Sequence, residues 1–226
     1  SHLEKQLRRV IPDALDIILT PFLTVVITGF VSLLFIGPAG RGLGEGITFV
    51  LTTLYEHAGW LAGLLFGGTY SAIVITGIHH SFHAIELGLL ADKSVGVNFL
   101  LPIWAMANVA QGGACLAVYF KTKDARIKSI AIPAGVSCLL GITEAAIFGI
   151  NLRFVKPFLA ALAGGALGGA WVVASKVGMT AVGLTGIPGI AIVQSNSVLN
   201  YLIGMVIAFG AAFAIATVLR YNTDAE

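Results

Sequence analysis

Residues 94–120, SVGVNFLLPIWAMANVAQGGACLAVYF, form a run of 27 residues without an acidic or basic side chain. A helix rises 1.5 Å per residue, so about 20 apolar residues are enough to cross the hydrocarbon core of a bilayer. Other uncharged runs of comparable length lie elsewhere in the chain, at residues 17–40, 58–78, 157–175 and 177–219. The last of these is long enough for one crossing and an additional intramembrane loop. The pattern predicts an all-α, multi-pass integral membrane protein.

The composition supports the same class and excludes several others. Of the 226 residues, 57% are hydrophobic and 11% are charged, against about 25% charged in an ordinary soluble domain. The formal net charge of +2 is too small and too scattered to predict a nucleic-acid partner. Cys115 and Cys138 stand in apolar segments without Cys or His at metal-ligand spacing, so we expect them to pack, and we expect no cofactor or metal.

The amino-terminal part carries two expectations. Residues 1–12 place aliphatic side chains on one helical face and basic ones on the other, which predicts an amphipathic helix in the membrane interface. Because no methionine or signal-peptide pattern begins the chain, we expect it to be a fragment that lacks an amino-terminal part. A span over about residues 14–36 should end at the Gly-Pro-Ala-Gly turn of residues 37–40, before a helix over about residues 47–77.

The topology follows from one basic loop. Short basic loops stay in the cytoplasm, and four basic residues cluster here: Lys121, Lys123, Arg126 and Lys128. Counting spans outward from this loop requires two segments to enter and leave the membrane on the same side. We predict re-entrant hairpins at about residues 79–99 and 130–154, together with about five transmembrane helices. Such irregular backbone is tolerated only around protein or a water-filled cavity.

Glu144 is the only carboxylate between Asp124 and Asp224. A lone carboxylate in lipid costs several kcal/mol, so it should face the bundle interior or a cavity. An ion pair with Arg153 that fixes the hairpin is the alternative. A carboxylate beside loosened backbone can accept hydrogen bonds from two sugar hydroxyls.

His79 and His80 are adjacent, and successive helical residues diverge by about 100°, so at most one points squarely at a given ligand. We expect His83 and Glu86 to lie on a solvated face. Further along, Trp104, Asn108 and Gln111 share one helix face, with an aromatic ring and two amides suited to a sugar; interhelical bonding is the alternative. The glycine-rich residues 163–170 predict close helix packing.

Four stretches together resemble a known family: Gly-Ile-His-His at 77–80, residues 98–113, Gly-Ile-Thr-Glu at 141–144, and residues 151–158. They are similar to the enzyme IIC (EIIC) domain of the glucose superfamily of phosphotransferase system (PTS) transporters, and most similar to its sucrose-specific branch. The resemblance implies an elevator-type transport domain, here residues 13–226, beside a dimerising amino-terminal scaffold that would make the protein a homodimer.

The resemblance also implies roles for individual residues. The glutamate of Gly-Ile-Thr-Glu and a histidine of Gly-x-His-His bind sugar in the family, which points to Glu144, with the adjacent Thr143, and to His79 or His80. Ala145 replaces the proline usual in the family, a departure that sucrose-type members share. The expected substrate-binding set is completed by Gln111 and Asn108.

The partners implied are sucrose or a related glucoside such as trehalose, and the EIIB and EIIA domains. A phosphocysteine of EIIB would phosphorylate the glucose 6-hydroxyl, so this chain would hold no catalytic residue of its own. The setting would be the bacterial plasma (inner) membrane. An ion-coupled secondary sugar transporter is the alternative function, since broken helices and midplane carboxylates serve such proteins too. An inactive helical fragment is a further alternative.

Overall fold

A computed structural model describes residues 2–93 and 95–223 of the chain. Helices dominate these residues, and the extended pairing within them consists of two isolated bridges that join Asn98 to Met179 and Met179 to Val193. The predicted all-α class is therefore confirmed. The chain divides into two compact units, residues 1–49 and residues 50–226.

The first unit contains α1 (His2–Leu7), α2 (Asp13–Val31), a π-helical turn (Ser32–Ile36) and the beginning of α3 (Gly37–Ala58). Helix α1 is shorter than the predicted interfacial helix of residues 1–12, and its position in a membrane interface stays a prediction. Arg8, which follows α1, forms ion pairs with Glu4 at 3.2 Å and with Asp16 at 3.0 Å.

The predicted turn at residues 37–40 is wrong, because helix α3 begins at Gly37 and runs through these residues. A proline in the first turn of a helix lacks an N–H that would have no partner there in any case, so Pro38 is tolerated. The π-helical turn before it changes the hydrogen-bond register and marks the junction instead. The predicted helix over 47–77 is also divided, because Gly59 adopts a φ of +54° between α3 and α4.

The second unit is a helical bundle built around one central helix. Its helices are α4 (Trp60–Ile75), α5 (Phe82–Ala91), α6 (Leu100–Lys121), α7 (Ala125–Leu139), α8 (Glu144–Ala146), α9 (Leu152–Phe154), α10 (Lys156–Ala174) and α11 (Val198–Val218). Helix α6 packs against α4, α7, α10 and α11, and nearly all of its side chains are buried. Residues 177–197 are irregular except for a 3₁₀ turn at Pro188–Ile192.

The glycine-rich stretch of α10 packs as predicted. The carbonyl of Gly169 lies against Gly63 of α4, and that of Gly165 lies against Gly67, so that a Cβ atom added to either α4 glycine would overlap the facing carbonyl. Glycine on both helices lets the two backbones approach closely, which is how helices pack in a bilayer.

Three helices among the described residues are long and apolar enough to cross a membrane: α6, α10 and α11. A fourth candidate pairs α4 with Ile78–Ala91 across a bend of 117°. The predicted spans near residues 100–120 and 157–175 are thus confirmed, whereas the total of about five stays a prediction. Large apolar side chains on α11 face outward, with Val206 exposed by 72%, as lipid contact requires.

Two lysines gather three helix ends at one end of the bundle. The Lys121 ammonium, at the end of α6, donates to the carbonyls of Thr217 at 2.9 Å and Leu219 at 2.6 Å. The Lys156 ammonium, at the start of α10, donates to the Arg220 carbonyl at 2.7 Å. Residues 122–155 therefore leave the end of α11 and return to it.

Candidate functional site

A cavity of about 140 Å³ lies where three interruptions of the helices converge. The interruptions are Gly77, the connection between α7 and α8, and the irregular segment after α10. The lining is mixed, with imidazole, carboxylate, hydroxyl, amide and phenol groups among apolar side chains; its polar members are Tyr70, His79, His80, His83, Asn108, Thr143, Glu144 and Thr185. Polar groups in an otherwise apolar cavity fix the orientation of a small ligand.

The first interruption presents the histidines. Gly77 has a φ of +76°, which ends the helical path of α4 and leads into a 3₁₀ turn at Ile78–Ser81. The rings of His79 and His80 lie 4.0 Å apart between centroids, and both line the cavity. Tyr70 meets His79 edge to face at 6.4 Å. The turn thus brings both histidines of the pair to the cavity, although a regular helix would have separated their directions.

The second interruption presents Thr143 and Glu144. Helix α7 ends in a tight turn in which the Ile142 N–H donates to the Ser137 carbonyl and Gly141 has a φ of +89°. This backbone region favours glycine. The Thr143 N–H donates to the Glu144 carboxylate at 3.1 Å, and both residues line the cavity.

The third interruption supplies Thr185. Asn108, on α6, donates to the Thr185 hydroxyl at 3.1 Å, and Asn108 lines the cavity as well. The Ile187 N–H donates to the Leu139 carbonyl at 2.7 Å, which joins this segment to the end of α7.

Gln111 is buried away from the cavity lining, and its carboxamide oxygen accepts from Asn151 at 2.7 Å. Trp104, on the same predicted face, stacks on Tyr70 with centroids 4.4 Å apart and an angle of 15° between the rings. Tyr70, and not Trp104, therefore presents the aromatic surface to the cavity.

The prediction of a solvated face for His83 and Glu86 is wrong for Glu86. Its side chain is 0% exposed, whereas that of His83 is 45% exposed and lines the cavity. Their hydrogen bond, His83 Nδ1 to Glu86 Oε2, measures 3.2 Å. The solvated face was assigned from the polar residue types alone, and the bend between α4 and α5 turns this helix toward the interior.

The sequence reasoning also missed Tyr70 and Thr185. Tyr70 stands in an apolar helix without a distinguishing pattern. Thr185 carried a signal, because it lies between Gly183 and Gly186 inside a long uncharged run, where two glycines indicate a loop. Both glycines have positive φ values. Within residues 2–93 and 95–223, no three His, Cys, Asp or Glu side chains lie close enough to hold a metal ion.

Apolar helices around a cavity with a carboxylate and imidazoles are the features of a membrane protein that binds a polar solute. The chain belongs to the phosphotransferase system EIIC family, whose model it matches over residues 1–165. It is 76% identical over its whole length to the PTS system sucrose-specific EIIBC component of Salmonella typhimurium, and 75% identical to that of Klebsiella pneumoniae. The sucrose-specific EIIBC component of Bacillus subtilis is 59% identical.

The chain spans about half the length of these curated relatives, 50%, 50% and 49% respectively. A trehalose-specific EIIBC component of Bacillus subtilis is more distant, with 39% identity over 95% of the chain and 45% of that relative. No solved structure matches the chain.

Proposed function

We propose that this chain is the sugar-binding and translocating part of a phosphotransferase permease in the bacterial inner membrane, and that its substrate is sucrose. The observation that carries the proposal is the cavity lined by Glu144, His79 and His80, in a chain 76% identical to a sucrose-specific EIIBC component. The 39% identity to a trehalose-specific relative makes trehalose the competing substrate.

The cavity offers the groups that a disaccharide needs. The Glu144 carboxylate accepts hydrogen bonds from sugar hydroxyls, each contributing about 1.5–3 kcal/mol. His79 and His80 supply ring nitrogens, and Thr143, Asn108 and Thr185 supply groups that both donate and accept. The Tyr70 ring adds a flat apolar surface for a sugar face.

The phosphoryl group would come from a partner. Transfer from an EIIB phosphocysteine, charged through EIIA, breaks the S–P bond and forms an O–P bond at the glucose 6-hydroxyl. Cys115 and Cys138 cannot substitute for that residue, because both side chains are 0% exposed and their thiols donate to helix carbonyls. The chain's own part is to bind and orient the sugar.

Residues 130–154 would form a re-entrant hairpin within an elevator-type transport domain, which in turn would pair with a second copy through an amino-terminal scaffold. The lysine contacts support the hairpin, since Lys121 and Lys156 both reach the end of α11. Residues 79–99 would form the second hairpin, and the 117° bend between α4 and Ile78–Ala91 supports it.

The test is donor-dependent sucrose phosphorylation in membrane vesicles that carry the full-length protein. We expect Glu144→Gln to lower kcat/KM for sucrose by more than about 100-fold, because the amide loses the charge that strengthens two hydrogen bonds. Glu56→Gln is the matched control, since Glu56 is exposed and lies outside the cavity lining.

Other outcomes would contradict the proposal. Accumulation of free sucrose without a phosphoryl donor would identify a secondary transporter. Phosphorylation of trehalose in preference to sucrose would reassign the substrate, and full activity of Glu144→Gln would exclude this cavity as the sugar site.

A further inference from the structure

We propose that His83 and Glu86 form a carboxylate–imidazole pair that gives the cavity a further hydrogen-bonding position for a sugar hydroxyl. His83 would contact the sugar, and Glu86 would act through His83 as a positioning residue. This inference rests on the proposed function and adds to it two residues that lie outside the Glu144, His79 and His80 group.

The geometry of the pair comes from α5. Residues three apart on a helix lie on the same face, which brings His83 Nδ1 within 3.2 Å of Glu86 Oε2. The two side chains differ sharply in exposure, with 45% for His83 and 0% for Glu86. The carboxylate is therefore behind the imidazole as seen from the cavity, which His83 lines and Glu86 does not.

The chemistry follows from the direction of this hydrogen bond. An ionised carboxylate can only accept, so the proton of the bond belongs to His83 Nδ1. A neutral imidazole with its proton on Nδ1 has its lone pair on Nε2, at the opposite side of the ring. A carboxylate that fixes a histidine tautomer in this way also makes the second nitrogen a better acceptor. The nitrogen left for the cavity is thus an acceptor for a sugar hydroxyl.

A role in packing alone does not account for Glu86. A buried carboxylate in a membrane protein is costly, and an apolar residue of similar volume would fill the same space without that cost. Its second oxygen, Oε1, is buried and has no hydrogen-bond partner among the described residues. The side chains of Trp104 and Asn98 lie near the carboxylate and help to hold it.

The substrate class that fits is a polyhydroxylated ligand with hydroxyls directed at two separate acceptors. Glu144 and Thr143 belong to the end of α7 and the start of α8, whereas His83 belongs to α5, so the acceptors reach the cavity from different elements. His83 also lies beside His80, with ring centroids 6.0 Å apart, which makes it continuous with the histidine pair.

The experiment compares sucrose KM and kcat in donor-supplied vesicles carrying full-length protein with His83→Gln, Glu86→Gln or both. We expect His83→Gln to raise KM by about threefold to tenfold, the value of one hydrogen bond. Glu86→Gln should raise KM less, because an amide oxygen still accepts from Nδ1 but no longer carries charge. The double variant should match His83→Gln alone, since Glu86 acts through that side chain.

A series of monodeoxy sucrose analogues provides a readout that a packing role would not change. One analogue, lacking the hydroxyl that donates to His83, should bind more weakly than sucrose to the native protein and equally well to His83→Gln. His57→Gln and Glu56→Gln are matched controls, because both residues are exposed and outside the cavity lining. Both controls should keep the native KM.

Native KM values for His83→Gln would overturn the inference while donor-dependent phosphorylation by the same vesicles keeps the proposed function. Losses that multiply in the double variant would show that Glu86 does not act through His83. If Glu86→Gln fails to accumulate in the membrane, the analogue series on His83→Gln decides the sugar contact. Absence of sucrose phosphorylation by the native protein would overturn the proposed function itself.

Discussion

The Asn108 amide and the Thr185 hydroxyl meet at 3.1 Å although 77 positions separate them in the chain. Both residues line the cavity, and Asn108 is 6% exposed. Their bond joins the central helix α6 to the irregular segment that follows α10. A buried donor that loses its partner costs about 1–3 kcal/mol, so this one contact is large relative to the stability of the site.

We predict that Thr185→Val destabilises the protein by about 1–3 kcal/mol and raises the sucrose KM, because the isosteric valine leaves the Asn108 amide without its acceptor. Thermal unfolding of the purified protein in detergent, with and without sucrose, measures both effects. Thr180→Val is the control from the same segment, since its exposed hydroxyl donates to the Ile192 carbonyl. Equal unfolding temperatures for the two variants would contradict this role of Thr185.

Single residues of the site differ in how far the sequence could predict them. Glu144 and the two histidines were found because a polar group in a long apolar run has few explanations other than a site. Thr185 could not be paired with Asn108, since nothing local connects residues so far apart. Glu86 was misjudged because its burial depends on the bend before α5, which only the tertiary structure determines.

At the scale of elements, the packing of α4 on α10 depends on glycines that face each other across the two helices. We predict that Gly169→Ala destabilises the protein by about 1–3 kcal/mol, the usual cost of overpacking, because the added methyl overlaps the Gly63 carbonyl. Gly210→Ala on α11 is the matched control, since a Cβ there has nothing within 4 Å. Thermal unfolding in detergent compares them.

The control should be neutral or stabilising by up to about 1 kcal/mol, as alanine favours a helix over glycine. Equal losses for both variants would mean that glycine acts through helix propensity and not through the close approach of the two helices.

Elements followed the sequence where the signal was length and apolar character. Helices α6 and α10 lie where their uncharged runs predicted them. The signal failed at residues 37–40, where Gly and Pro are compatible with the first turn of a helix as well as with a turn that ends one. It also missed the break at Gly59, because a single glycine is tolerated within many helices.

At the scale of the whole molecule, the arrangement predicts which positions face the same side of the membrane. Ala125 and Val155 are exposed and flank residues 130–154. We predict that Ala125→Cys and Val155→Cys both react with a membrane-impermeant maleimide in inside-out vesicles and in no other orientation. Lys176→Cys, beyond the opposite end of α10, should react from the outside.

The buried thiols of Cys115 and Cys138 should give no background in this experiment. Labelling of Val155→Cys from the outside would contradict the re-entrant hairpin, because residues 130–154 would then cross the bilayer. Labelling of Ala125→Cys from the outside would reverse the orientation derived from the basic loop.

The Lys121 ammonium has a consequence for how the bundle can move. It donates to carbonyls in the last turn and just beyond the end of α11, and it also lies 4.2 Å from the centre of the Tyr221 ring. Axial shear of α11 along α6 would break all of these contacts in one step. Any displacement that carries the cavity across the bilayer would therefore conserve this joint, so α6 and α11 share their rigid-body degrees of freedom and conformational strain must be taken up elsewhere in the protein.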